Sequence, residues 1–510
     1  MTRHADLTRS ERQVALSLAP VLLLAAVVLG LFVARSVQGS HPVLALLTPL
    51  VLVPFALWAS PTGGLVAGLV AAVTVEQFAY QVGPRAGAAT SKIPFFHSIT
   101  PGSGVTPAEL FLGALLLSWA LQQLRAGEPL LHNSPVGRRL AAFCGLTVVY
   151  VGVGLARHGS LKAALWEIRP LFYLAIMFVL ASSLLTTTRA VRAVLWTLVL
   201  GSGTKALYGV VIFLSVRHVQ PRPEAVLGHE ESYFFGLVVF LVIGLWAFGV
   251  PGRLRTVATC VLPLVVVCDM ANSRRTAWAI LIVGGLFMTI LAYVRLPAHR
   301  RGIRRASLVV LALSLVYMPL FWNKTGTTAQ PARAVHSLVA PDPRDASSDQ
   351  YRVLEDENLK LNIRAHHATG SGFGVPIDYA VAIPDLTGIA SMLAFVPHNG
   401  VLWVFMRTGV VGEVLLWLVI GEGVLAACQL TRVEDRETAV LGALVAAGLL
   451  SYAIIGEKDL GFYWLRIAIC TGVLLGAVEA RLRVLRPAAP AAASTGTHLV
   501  EGPSAAEVAR

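Results

Sequence analysis

His398 stands where a long polar stretch re-enters apolar sequence, in Phe395-Val396-Pro397-His398-Asn399-Gly400-Val401-Leu402-Trp403. An imidazole, with an ordinary pKa of about 6.5, can take or steer a proton near neutral pH at such a border. Taken alone, the same histidine can also serve as a helix-cap or interfacial residue satisfied by backbone groups. The second group with chemical potential is Ser273-Arg274-Arg275-Thr276-Ala277, two arginines heading an apolar helix. A cation at the positive end of a helix dipole gains little unless an anion joins it, and phosphate or pyrophosphate suits the guanidinium fork. Snorkelling to lipid headgroups is the competing explanation for this pair. Arg217, His218, Arg222, Glu224, His229, Glu230 and Glu231 crowd one short loop upstream, where each taken singly reads as a solvated residue.

The elements that must hold these residues are membrane helices. The chain has 510 residues, 56% hydrophobic and 14% charged, with mean hydropathy +0.70, which excludes a water-soluble globule of this size. About 12–14 spans are expected. They fall near 14 to 34, 43 to 58, 62 to 80, 107 to 124, 139 to 156, 168 to 186, 190 to 213, 232 to 250, 254 to 270, 276 to 294, 306 to 322, 397 to 427, 437 to 455 and 459 to 480. The fold class is therefore an all-α, polytopic transmembrane bundle. Its parts are an N-terminal bundle over 1–322, a large external loop over 323–396, further helices of the same bundle over 397–486, and a disordered cytoplasmic tail over 487–510.

Arginines in alternate short loops, among them Arg125, Arg138, Arg139, Arg253, Arg255, Arg300, Arg301, Arg432 and Arg436, mark those loops as cytoplasmic. Both termini are then cytoplasmic, and the net charge of +13 is topology signal and attraction to anionic membrane lipids, with no nucleic acid required. The external face receives segments near 81 to 106, 157 to 169, 214 to 231 and 323 to 396. Within the last, 349 to 364 has helical periodicity and a favourable Asp356 to Lys360 pair, so a surface helix is expected to cap the external side. Its acidic run Glu355-Asp356-Glu357 reads as a solvated face. Gly370-Ser371-Gly372-Phe373-Gly374 follows, a string that permits tight turns or close backbone approach. His366 and His367 lack a third metal ligand at a recognised spacing, and Cys144, Cys260, Cys268, Cys428 and Cys470 read as apolar packing residues, so neither metal nor cofactor is expected. Arg407 is costly in lipid unless it meets a phosphate or pairs with Glu413, and ion pairing is as good an account as function for Glu76 and Lys205. Arg169 is a further phosphate candidate.

The order Gly370-Ser371-Gly372-Phe373-Gly374, His398-Asn399 and Gly409-Val410-Val411-Gly412 resembles the Gly-x-Gly, His-Asn and Gly-x-x-Gly series of the O-antigen ligase and O-antigen polymerase superfamily of bacterial membrane glycosyltransferases. Ser273-Arg274 is similar to the family's Ser-Arg motif opening a helix, and Arg352 with Glu355 resembles the arginine of the family's large external loop. Gly228-His229-Glu230-Glu231 stands where the family often has Pro-Asn, so the match of Arg222 to the preceding family arginine is looser. The doubled Arg274-Arg275 leaves open which one matches the family's single arginine.

The resemblance implies a GT-C-like bundle in the cytoplasmic (inner) membrane. Its activity would move a glycan from undecaprenyl pyrophosphate to a hydroxyl of a glycan, lipid or protein acceptor at the outer face. His398 would activate the acceptor. Arg274, Arg275, Arg222 and Arg352 would hold the pyrophosphate, neutralising the leaving group without a metal. Direct attack would invert the anomeric configuration. Asn399, Gly372, Gly374, Gly409 and Gly412 would support the site structurally. The competing classes are a transporter or lipid-linked glycan flippase, for which no internal repeat is visible, and a noncatalytic scaffold.

Overall fold

The computed structural model describes residues 53–78, 81–82, 85–86, 90, 93, 95–98, 104–219, 225–388 and 391–485. The expected span at 14 to 34, most of that at 43 to 58, Arg222 and the tail from 487 lie outside the described residues. Apart from a two-residue antiparallel pairing of Gln81–Val82 with Arg85–Ala86, the regular secondary structure of the described residues is helical. The helices are α1 (Pro61–Thr74), α2 (Pro107–Ala126), α3 (Pro135–Ala156), α4 (Leu161–Leu184), α5 (Thr188–Val216), α6 (Glu231–Ala247) and α7 (Arg253–Asn272). They continue as α8 (Arg275–Arg295), α9 (Arg300–Phe321), α10 (Gln330–His336), α11 (Pro343–His366), α12 (Gly400–Leu430), α13 (Arg436–Lys458) and α14 (Leu465–Leu485). Among the described residues, 8 helices are long and apolar enough to cross a membrane, and α1 and α6 are shorter apolar helices. This is a multi-pass membrane protein.

Local sequence explains the helix starts. Ser60, Ser134, Ser160, Thr187, Asp342 and Asn399 each accept a backbone N–H of the first turn, and proline opens α1, α2, α3 and α11 where its missing N–H costs nothing. Helix α11 therefore starts at Pro343, earlier than the periodicity around 349 suggests, because Asp342 caps it. Helices α14 and α4 pack closely because a Cβ on Gly472 or Gly476 would strike the carbonyls of Leu174 or Phe178. By contrast, α9 buries no residue at all.

The least regular part of the bundle lies in α12. Gly409 takes φ 63° and breaks the helix, freeing the carbonyls of Met406 and Arg407. Ser371 N donates to Met406 O (2.7 Å), Gly372 N to Arg407 O (3.0 Å), and Val410 N to His367 O (3.2 Å). The glycine string thus enters the bundle beside the break, and irregular backbone is tolerated there because protein groups satisfy it. Gly372, at φ 80°, packs on the backbone of Gly154.

Arg407 secures this junction, and its partner is Glu167 of α4 at 2.7 Å, with Glu413 taking the indole N–H of Trp417 instead. Its other nitrogens donate to Ser371 Oγ (3.3 Å), Gly372 O (3.2 Å) and Phe395 O (2.7 Å). Glu167 also accepts from Trp403 Nε1 (3.1 Å) and from Gly374 N. Removing one partner leaves a buried, uncompensated charge, so Glu167→Ala is expected to cost about 3–5 kcal/mol. Thermal unfolding in detergent checks this, and a transition unchanged from wild type would contradict it.

Candidate functional site

Helices α8, α11, α12 and α13 and the loop before α6 bring their ends together around a cavity of about 600 Å³. His398, Arg274, Arg275 and Arg352 all line it, alongside His229, Tyr351 and Asp459. Residues separated by more than 200 positions in sequence thus share one space.

His398 is held by Glu355. The backbone N of His398 donates to Glu355 Oε2 (2.9 Å), and its Nδ1 lies 3.1 Å from Oε1. Glu355 is 1% exposed, so the reading of 355 to 357 as a solvated face fails at its first member. Helix α11 lies across the start of α12, and Glu355 falls on its inner side with Asn358 and Leu359. The Tyr351 ring packs edge-on to His398 at 5.6 Å, and burial followed by the Glu355 charge pushes its phenol pKa up. Asn399 caps α12 by accepting Leu402 N (3.0 Å), while its amide donates to Asp356 (3.2 Å). An imidazole whose Nδ1–H donates to this carboxylate has Nε2 free to act as an acceptor.

A second histidine and carboxylate share the cavity: His229 Nδ1 is hydrogen-bonded to Asp459. Asn272 places the loop before it, accepting Leu227 N (2.9 Å) and donating to Gly228 O (3.2 Å). His229 stacks on Trp464 at 6.5 Å, whose indole N–H donates to Asp459 O (3.1 Å). Leu460 N in turn donates to His398 O (2.9 Å), joining the two pairs. Burial lowers the His229 pKa, and Arg274 and Arg352 lower it further against the opposing pull of Asp459. Although burial opposes ionisation of Asp459, His229, Arg352 and Arg274 hold its carboxyl well below the usual range. Sequence alone reads His229 as one solvated residue of a charged loop and gives no sign of Asp459, because their partnership spans 230 positions.

The two arginines of the Ser-Arg-Arg turn differ. Ser273 ends α7 in the left-handed region (φ 53°), and Arg274 occupies the cap of α8 with its charge acting on His229 and Asp459. Arg275 is committed to Asp349 through two bonds of 2.8 and 2.5 Å, fixing α11 to α8, and this pairing holds the Asp349 carboxyl below its ordinary pKa. Gly372, Gly374 and Gly409 lie behind His398 in the junction described above, and Gly412 packs on Thr408 within α12. Arg169 lies in a separate cavity of about 390 Å³ with Gln77, Trp166 and Tyr463, bound to Glu109 (3.0 Å) and Gly104 O (2.6 Å). Among the described residues no three His, Cys, Asp or Glu side chains are grouped to hold a metal ion.

The chain matches no family model and no curated protein.

Because folding lowers the His229 pKa, its contribution to stability is complete above about pH 6.5 and is lost as pH falls below that value. The pH dependence of diethylpyrocarbonate labelling, read at His229 by mass spectrometry, should give a midpoint below about 6.5. Arg274→Gln should raise that midpoint by removing a repelling cation. A wild-type midpoint at or above the ordinary value would contradict this electrostatic picture.

Proposed function

We propose that this protein is an inverting, metal-independent glycosyltransferase of the O-antigen ligase or polymerase kind, working at the outer face of the cytoplasmic membrane. It would move a glycan from undecaprenyl pyrophosphate to an acceptor hydroxyl. The observation that carries this reading is one cavity combining a carboxylate-oriented imidazole, His398 on Glu355, with the charges of Arg274 and Arg352.

In this reading the acceptor hydroxyl gives its proton to His398 Nε2 as its oxygen attacks the anomeric carbon. The bond from that carbon to the pyrophosphate oxygen breaks, and the electron pair leaves with the pyrophosphate. Glu355 stabilises the imidazolium that forms, as a carboxylate does for any histidine base it orients. Arg274 and Arg352 receive the growing negative charge, and the low-dielectric site makes their interaction with it stronger than in water. Arg275 holds α11 in place through Asp349. His229 beside the arginines offers a polar wall to the pyrophosphate. Attack opposite the leaving group inverts the anomeric carbon.

Proteoliposomes supplied with undecaprenyl-pyrophosphate oligosaccharide and candidate acceptors test the proposal. Wild type should consume the donor, and product size separates polymer growth from single ligation. His398→Ala should slow turnover by at least about 100-fold with donor binding retained, the lower bound for loss of a general base. Arg274→Gln should weaken donor binding as well. Normal turnover by His398→Ala would sink the role given to it, and a donor that only changes leaflet would establish a flippase instead.

A further inference from the structure

The opposite end of the bundle, which carries the basic turns, has its own cavity of about 530 Å³ between the ends of α6, α8 and α12 and the start of α13. Its wall carries Arg295, Arg432, Arg436 and His299 against a single carboxylate, Glu434, which makes no ion pair with any of them among the described residues. Arg436 donates to Gly249 O (2.9 Å), the ordinary use of a guanidinium at a helix C-terminus. Arg295 differs: its Nε is buried and has no hydrogen-bond partner among the described residues. Three guanidiniums around one cavity with a single carboxylate leave an excess of positive charge there, which is a place for an anion.

The surroundings identify the kind of anion. Arg295 ends α8, so it lies at headgroup depth if that helix crosses the bilayer. Val294 also lines the cavity and continues into a stripe of exposed apolar side chains up α8, Ile290, Leu286 and Ile282, each four residues from the last. This spacing puts them on one helix face. A soluble phosphate has no use for that stripe, whereas a phospholipid can place its phosphate among the arginines and lay an acyl chain along it.

We infer that this cavity is a binding site for an anionic phospholipid, with Arg295 and Arg432 on its phosphate. The site stands apart from the proposed transfer chemistry and does not depend on it. Native mass spectrometry of the delipidated full-length protein, titrated with phosphatidylglycerol and with phosphatidylcholine, tests the inference. Wild type should retain phosphatidylglycerol in preference to phosphatidylcholine, and Arg295→Gln with Arg432→Gln should reduce that preference about tenfold or more. Glu434→Gln, at an exposed position, should strengthen retention of phosphatidylglycerol. Equal retention of the two lipids by wild type, or an unchanged preference in the double variant, would overturn the site. Competition by inorganic phosphate as effective as that by phosphatidylglycerol would overturn the lipid assignment.

Discussion

Inside a bilayer no water is available to a charge or to an open backbone group, so every departure from helix must be paired by protein. The Glu167–Arg407 pair meets that demand at the point where α12 breaks. One guanidinium holds α4, the glycine string and Phe395 O together, and one carboxylate holds Trp403 and Gly374. His398 lies two residues before α12, about three turns ahead of the break, and Phe395 stands three residues before it. The position of the imidazole therefore follows from an ion pair that lies behind the cavity and not in its wall.

A second buried network does the same for His229. Arg466, at the start of α14, pairs with Glu231 (2.8 Å) and Glu230 (3.4 Å) and donates to Ala72 O (2.7 Å) and Val73 O (3.0 Å). Lys205 joins Glu76 and reaches Glu231 at 3.5 Å. These charges close the end of α1 at Thr74, where Arg466 takes the carbonyls of Ala72 and Val73. They also fix the two residues that follow His229, while Asn272 fixes the two before it. Isolated charges of this kind would be prohibitive in hydrocarbon, and their mutual neutralisation converts that cost into a defined geometry.

The architecture was largely legible because the physics that sets it is local. Twenty apolar residues mark a span wherever they occur, and the eight described helices long and apolar enough to cross a membrane all overlap expected spans, although α4 begins at Leu161 and not near 168. The capping of α12 by Asn399 and a bend at Gly409 follow from residue type alone. The partners were not legible. Arg407 has Glu413 close by in sequence yet finds Glu167, 240 positions away, and Glu355 turns inward while Glu357 remains exposed. Periodicity tells which helix face a residue occupies but not what covers that face, so the His229–Asp459 pair and the commitment of Arg275 to Asp349 needed three dimensions.

On the proposed reading, the cavity between His398 and Arg274 receives a lipid pyrophosphate. A cryo-electron microscopy structure of the protein in nanodiscs with undecaprenyl pyrophosphate addresses it most directly. Pyrophosphate density is expected between Arg274 and Arg352, on the side of the cavity facing His398. Pyrophosphate seated instead beside Arg169 in the second cavity, with none near Arg274, would contradict it.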